Sequence, residues 1–219
     1  MRVSAILVLS GFCICCDAGA RNSLPALDSF AVRTNNGAIE QSGWEAVRGR
    51  GTEYSVSRDS SLPALHAVSI GGNASIGKRI SYAIEDFPLL SWSWKIITLP
   101  RDGCESVARK NDSAAGIYVS YRHGLVRKYL KYVWSSSLPM GSTLRSPFSP
   151  LTKIIVLETG TARIGTWVNE RVDVRNDIKR CFNDEPARID GFGIMTDADN
   201  TESTAEAWYA GISIAQDSH

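Results

Sequence analysis

The recurring pattern along the chain is an alternation of apolar and polar residues, which is the period of a β-strand. It is clearest over Leu90–Ile96, where four apolar side chains alternate with Ser91, Ser93 and Lys95. Gly116–Tyr121 alternates in the same way. Further strands are predicted, from alternation or from β-branched and aromatic content, over Thr52–Ser57, His66–Ile70, Lys78–Ile84, Lys131–Trp134, Lys153–Leu157, Thr166–Asp173, Gly191–Thr196 and Ala207–Ile214.

Turn-forming residues separate these strands at short intervals, as in Gly71-Gly72-Asn73 and Thr159-Gly160. One short helix is predicted, from about Val174 to Phe182. About ten short strands with a single helix are typical of one all-β domain built as a β-sandwich. We expect a jelly-roll-like sandwich, of galactose-binding-like or lectin-like form.

The N-terminus has the features of a signal peptide. Arg2 precedes an apolar run of 14 residues over Val3–Cys16, and the small residues Ala18-Gly19-Ala20 follow. The run is shorter than the roughly 20 residues that cross a bilayer as a helix. We therefore expect residues 1–20 to be a signal peptide and residues 21–219 to form the single mature domain. A lipid-anchored form is the alternative, although Cys13 lies one place too late after Leu9-Ser10-Gly11.

Charge and hydropathy indicate which classes of partner the mature domain is not expected to bind. The formal net charge is +1, and losing Arg2 and Asp17 with the signal peptide leaves it unchanged. Without a block of lysine or arginine, nucleic acid is not expected as a partner, because phosphate binding needs a basic surface. No apolar run after Cys16 is long enough to span a membrane, so no span is expected after signal cleavage.

Two cysteines, Cys104 and Cys181, remain once the three in the signal peptide are removed. A pair of cysteines in an exported protein favours one disulfide, and two separate thiols are the alternative. Zinc is not expected, because the spacing of a four-ligand zinc site is absent.

The densest polar segment is Met195–Glu202, directly after a predicted strand. Asp197, Asp199 and Asn200 offer the hard oxygen ligands that suit Ca²⁺, which makes them a candidate metal site. The segment is not an EF-hand, because Glu202 stands where that loop needs glycine. The alternative is a loop held by hydrogen bonds from its own Asp and Asn side chains.

Tryptophan is abundant, with six in the chain, and most lie on predicted strands. Aromatic rings stack against the apolar C–H face of a sugar, but they also fill the cores of sandwiches. Trp92 and Trp94 share a strand face with Leu90 and Ile96, which favours the core. Trp134 and Trp208 lie beside polar residues and are open to either interpretation.

Motifs that would name a reaction are missing. No Gly-x-Ser-x-Gly segment presents a nucleophilic serine, and no glycine-rich phosphate loop is present. Glycoside hydrolysis needs two carboxyls on either side of the scissile bond, and the sequence does not specify which acidic residues would converge.

Several segments together resemble the bacterial domain-of-unknown-function family 3047. The matching segments are Leu90–Lys95, Asn111–Val119, Tyr132–Ser135, Gly165–Trp167, Arg171–Val174, Gly193–Thr201 and Ala207–Tyr209. The resemblance implies an exported bacterial protein, in the periplasm or secreted, with no established activity. Two positions depart from the family's usual residues: Gly116 replaces an arginine, and Asn111 replaces the first of two aspartates. These changes put in doubt whether a family site is intact in this chain.

The sequence therefore predicts an exported β-sandwich that binds a carbohydrate or another envelope component. A polysaccharide hydrolase or lyase with an Asp acid/base, and a purely structural envelope protein, are the alternatives. The candidate ligand-binding residues are Trp92, Trp94, Asp112, Tyr132, Trp134, Asp173, Asp197, Asp199, Asn200 and Trp208.

Overall fold

The structure is a computed structural model, and it describes residues 27, 28, 30 and 43–217. The predicted signal peptide, residues 1–20, lies outside the described residues, so it stays a prediction. Within the described part of the chain, no helix has the length and apolar character needed to cross a membrane.

Twelve strands and one α-helix make up the described residues. The strands are β1 Glu45–Arg48, β2 Thr52–Asp59, β3 Leu62–Ile70, β4 Ser75–Ala83, β5 Leu89–Thr98, β6 Ala115–His123, β7 Val126–Ser135, β8 Thr143–Ser146, β9 Ser149–Thr159, β10 Val168–Asp173, β11 Arg188–Met195 and β12 Thr204–Ala215. The helix α1 spans Val174–Phe182, and a short 3-10 helix covers Ala108–Lys110.

All ten predicted strands and the predicted helix are present. The pattern missed only β1 and β8, which have four residues each and no fully buried side chain. Both are edge strands of the larger sheet. Neither strand has a buried face, so the contrast between buried and exposed positions that identifies the other strands is absent.

Two sheets face each other. The larger has seven strands in the order β1-β4-β11-β6-β7-β9-β8, and the smaller has five in the order β10-β5-β12-β3-β2. All pairings are antiparallel except that of β7 with β9, which is parallel. The all-β, jelly-roll-like sandwich predicted from the sequence is confirmed.

Aromatic side chains form the centre of the core between the sheets. Trp92 and Trp94 of the smaller sheet meet edge to face, with ring centroids 5.3 Å apart. Trp94 contacts Trp134 of the larger sheet at 6.1 Å, and Trp92 contacts Tyr132 at 5.7 Å. All four side chains are at most 2% exposed. This cluster joins the two sheets, because each contact between them pairs a ring from one sheet with a ring from the other.

The two cysteines do not form the disulfide that their number suggested. Both carry free thiols. Cys104 lies in the loop after β5, where its Sγ is 3.2 Å from the Oγ of Ser106. Cys181 lies in the last turn of α1, among the hydrophobic residues that pack against the core. The two residues therefore belong to different parts of the fold.

Candidate ligand-binding groove

An open groove with a volume of about 1110 Å³ crosses the outer face of the seven-stranded sheet. Its floor follows the register of the strands, so that residues from successive strands lie side by side. Gly193 pairs with Gly77 on one side and with Tyr118 on the other. Tyr118 pairs in turn with Lys131, and Lys131 with Ile154. The groove therefore spans several neighbouring strands of the sheet.

Glycines on this floor leave space for neighbouring side chains. A Cβ on Gly116 would lie 2.9 Å from the Cε of Lys131, so the absence of a side chain there lets the lysine cross the strand. A Cβ on Gly193 would lie 3.4 Å from the Cβ of Tyr118. Glycine inside a strand often indicates a close approach of another group, and here it deepens the groove beside the ring of Tyr118.

Three aromatic side chains outside the core line the groove: Tyr118 on β6, Tyr129 on β7 and Phe148 in the turn between β8 and β9. The two tyrosines are half-buried, and Phe148 is 63% exposed. The Oη of Tyr118 lies 3.5 Å from the Sδ of Met195, which holds the ring across the floor. These rings give the groove apolar surface that a ligand can cover.

One end of the groove is basic. The Nε and Nη2 atoms of Arg127 donate to Asp190 at 3.2 and 2.9 Å, and Ser120 donates to the same carboxylate at 2.5 Å. Arg122 reaches that carboxylate as well, at 3.7 Å. Two guanidinium groups therefore share one negative charge. Arg79, also on the lining, makes no ion pair with any described residue.

The other end of the groove is acidic and is built by two loops. Asp112 precedes β6, while Asp197 and Asp199 lie in the loop between β11 and β12. A backbone hydrogen bond from Asp197 to the carbonyl of Ser113 joins the two loops at 3.1 Å. One carboxylate oxygen of each aspartate lies within 4.8 Å of the other two. Asp197 and Asp199 line the groove.

Asp112 is fully buried and holds the second loop in place. It accepts hydrogen bonds from the backbone N–H groups of Asn200 and Thr201, at 3.1 and 2.7 Å. The hydroxyl of Thr201 donates to it as well, at 2.5 Å. These three hydrogen bonds stabilise the negative charge of Asp112 and fix the loop between β11 and β12 at the acidic end of the groove.

Asp197 is in a different position, because it is 4% exposed and its Oδ1 has no hydrogen-bond donor among the described residues. Burial, together with the nearby carboxylates of Asp112 and Asp199, raises the pKa of Asp197 to about 8, although Lys131 acts in the opposite direction. Asp199 is half-buried and accepts a 2.7 Å hydrogen bond from the Nδ2 of Asn73.

A buried lysine adjoins this cluster. Lys131 is 2% exposed, and its Nζ donates to the Oγ of Ser113 at 3.3 Å. Ser113 in turn donates to the fully buried Glu105 at 2.9 Å. Burial alone would lower the pKa of Lys131, but Tyr118, Asp197 and Glu105 together raise it. Lys131 therefore remains a cation inside the protein.

Four of the predicted ligand-binding residues belong to the core instead. Trp92, Trp94, Tyr132 and Trp134 are between 0 and 2% exposed and pack between the sheets. The sequence interpretation that gave them ligand contacts is corrected, because a side chain enclosed by both sheets cannot reach a ligand on the surface.

Two further predicted residues lie away from the groove. Asp173 is the N-cap of α1, where its Oδ1 accepts a 2.9 Å hydrogen bond from the backbone of Asn176. Trp208 is on the five-stranded sheet, where it stacks on His66 with ring centroids 4.1 Å apart. Its indole also contacts the ammonium of Lys95. Both corrections have one cause, since sequence spacing does not specify which face of the sandwich a residue occupies.

The remaining predictions converge at the acidic end. Asp112, Asp197 and Asp199 come together, and Asn200 lies on the groove lining with its backbone N–H bound to Asp112. Of the three proposed metal ligands, Asp197 and Asp199 belong to a carboxylate cluster that also contains Asp112, and Asn200 donates its backbone N–H to Asp112.

Sequence reasoning missed the groove residues Tyr118, Tyr129 and Lys131. The signal was present for one of them, because the alternation over Gly116–Tyr121 places Tyr118 on the face opposite Ile117 and Val119.

Fold and groove together define a class: a jelly-roll-like β-sandwich with an open groove across its larger sheet. The chain belongs to the family described as protein of unknown function (DUF3047), whose model matches residues 42–213. No curated protein matches the chain.

Solved structures of similar fold include two sandwiches. The family 11 carbohydrate-binding module of the cellulosomal cellulase Lic26A-Cel5E of Clostridium thermocellum is 10% identical, with a TM-score of 0.48 over 92% of this chain and 99% of that one. Endoglucanase 3 of Trichoderma harzianum, from family GH12, is 10% identical, with a TM-score of 0.41 over 83% of this chain and 89% of that one. Both TM-scores are below 0.5, so neither likeness decides what the groove binds.

Proposed function

We propose that this protein is exported and binds an extended carbohydrate chain, without cleaving it, in the groove across the seven-stranded sheet. The observation that carries the proposal is the combination of half-buried rings and hydrogen-bonding side chains on one open surface. Tyr118 and Tyr129 supply aromatic faces, and Arg127, Asp190 and Asn200 line the same groove.

A sugar ring needs both kinds of contact. Its C–H face is apolar and stacks on an aromatic ring, while its hydroxyls need donors and acceptors at the ring edge. Tyr118 and Tyr129 lie in adjacent rows of the floor, since Tyr129 pairs with Ser120, two residues along β6 from Tyr118. A chain that crosses the strands would therefore meet both rings in succession.

Binding is better supported than hydrolysis or elimination by the predicted acids. Asp173 caps a helix, and Asp112 is occupied by the donors of a loop. The remaining pair, Asp197 and Asp199, lies together in one loop, whereas a glycosidase places its two carboxyls on either side of the scissile bond. We expect a bound polysaccharide to be recovered at its original chain length.

The test is a glycan array of neutral and acidic polysaccharides, followed by calorimetry on the best ligand. Replacing Tyr118 or Tyr129 by alanine is expected to weaken binding about 10-fold, because each change removes a stacking face. Trp208→Ala is the matched control, since it removes a half-buried ring from the opposite sheet and should leave the affinity unchanged.

Two results would contradict the proposal. The first is an array without a bound glycan, and the second is equal affinity in wild type, Tyr118→Ala and Tyr129→Ala. Circular dichroism of each variant checks that the sandwich is still folded. Shortening of a bound polymer would instead support the hydrolase or lyase alternative.

A further inference from the structure

The three carboxylates at the acidic end have the spacing of ligands around one ion. Oxygens bound to the same Ca²⁺ lie 2.3–2.6 Å from it, so two of them can be at most about 5.2 Å apart. One oxygen each of Asp112, Asp197 and Asp199 falls within 4.8 Å of the other two.

An unpartnered atom in the same cluster also points to a ligand at this site. Asp197 is only 4% exposed. Its Oδ1 atom is buried and accepts no hydrogen bond from a described residue. A buried polar atom without a partner costs free energy, and in native proteins such an atom is usually satisfied by water or an ion. Asp112 retains acceptor capacity, since its Oδ1 receives a single hydrogen bond.

The charges around the cluster indicate the sign and charge of the ion. Lys131 is a nearby cation, and it faces Glu105 through Ser113 as well as Asp197. Three hydrogen-bond donors stabilise Asp112. When Glu105, Asp197 and Asp199 are all ionised, Lys131 can balance only one of these three carboxylates, which leaves an excess of two negative charges. A divalent cation matches that excess.

We propose that Asp112, Asp197 and Asp199 bind one Ca²⁺ ion at the acidic end of the groove. The ion would tie the loop before β6 to the loop between β11 and β12. The proposal is independent of the saccharide, because the three ligands and the unpartnered oxygen are properties of the protein alone.

The experiment uses the full purified chain, stripped with EGTA, and Ca²⁺ alone as the probe. Calorimetry should give one site. Melting followed by circular dichroism should give a temperature that rises by roughly 5–10 °C when Ca²⁺ exceeds Kd 100-fold. Mg²⁺ at equal concentration should give a smaller rise.

Variants locate the site. Asp199→Asn, at a half-buried position, is expected to fold and to lose at least 10-fold in Ca²⁺ affinity, as is Asp197→Asn. Glu53→Gln, at an exposed carboxyl on β2, is the control and should respond like wild type. Should Asp197→Asn fail to fold, Asp199→Asn still decides the question.

The proposal is overturned if Ca²⁺ changes neither the melting temperature nor the heat of mixing. It is also overturned if Asp199→Asn binds Ca²⁺ as well as wild type does.

Discussion

At the scale of single residues, Glu170 on β10 is a second carboxyl, besides that of Asp197, whose pKa is raised well above its ordinary value. It accepts a 3.1 Å hydrogen bond from the indole of Trp94. Burial, assisted by the nearby carboxylate of Glu158, raises the pKa of Glu170 to about 7. Glu158 is paired with Arg163 at 2.5 Å, whereas no ion pair joins Glu170 to a cation among the described residues. Glu170 is therefore accommodated more easily as the neutral acid.

This predicts a pH dependence of stability. In the unfolded chain a glutamate titrates near pH 4.3, so between about pH 4.5 and 7 the folded state binds the extra proton. The contribution of Glu170 to the free energy of unfolding is full below this window and falls as the pH rises through it, by about 2 kcal/mol once solvent screening of this partly exposed carboxyl is allowed for. Glu170→Gln keeps the hydrogen-bond acceptor and should remove that part of the fall. Urea unfolding of both proteins from pH 4.5 to 7.5 measures it, and parallel curves would contradict the prediction.

At the scale of elements, α1 illustrates how local signals define a helix. Asp173 caps its first turn, and Asn183 ends it in the left-handed conformation with a φ of 54°. An asparagine tolerates this conformation better than most side chains do. Val174 and Ile178 are one turn apart and buried, so the helix is held by packing as well as by its caps.

Removing the N-cap should affect stability and leave binding unchanged. Asp173→Ala is expected to lower the free energy of unfolding by about 1 kcal/mol, because the backbone N–H of Asn176 loses its acceptor. Asp173→Ser keeps an acceptor at this position and should stay close to wild type. Equilibrium unfolding checks the change in stability. A loss of glycan affinity in the folded Asp173→Ala protein would return this residue to the binding site.

Local sequence patterns predict the strands and the helix of this fold but not the contacts between distant residues. Strands with one buried face show alternation, so ten of them and α1 were identified, while the exposed edges β1 and β8 were not. The meeting of Asp112 with Asp197 depends on strands far apart in the chain, which no local pattern encodes. Trp134 was ambiguous because polar residues follow it in the sequence, although the first of them, Ser135, is itself fully buried.

At the scale of the whole molecule, the two sheets depend on the aromatic layer between them. Trp134 contacts Trp94 of the opposite sheet, and its Nε1 donates to the carbonyl of Gly160 at 3.1 Å. Trp134→Ala is expected to cost about 3–5 kcal/mol, because it leaves a cavity between the sheets. Trp134→Phe should cost less, since it keeps most of the ring volume. Far-UV circular dichroism in urea measures both, and a loss below 1 kcal/mol in Trp134→Ala would contradict this account of the core.

Strand order also has a consequence for the way the protein is made. The last strand, β12, lies in the middle of the five-stranded sheet between β5 and β3, and β11 lies between β4 and β6 in the other sheet. A nascent chain leaves the ribosome with its N-terminal part first, so neither sheet can close until these two strands emerge. Most of the pairing is then long-range, which slows folding. The complete sandwich can therefore assemble only after β12 has left the ribosome.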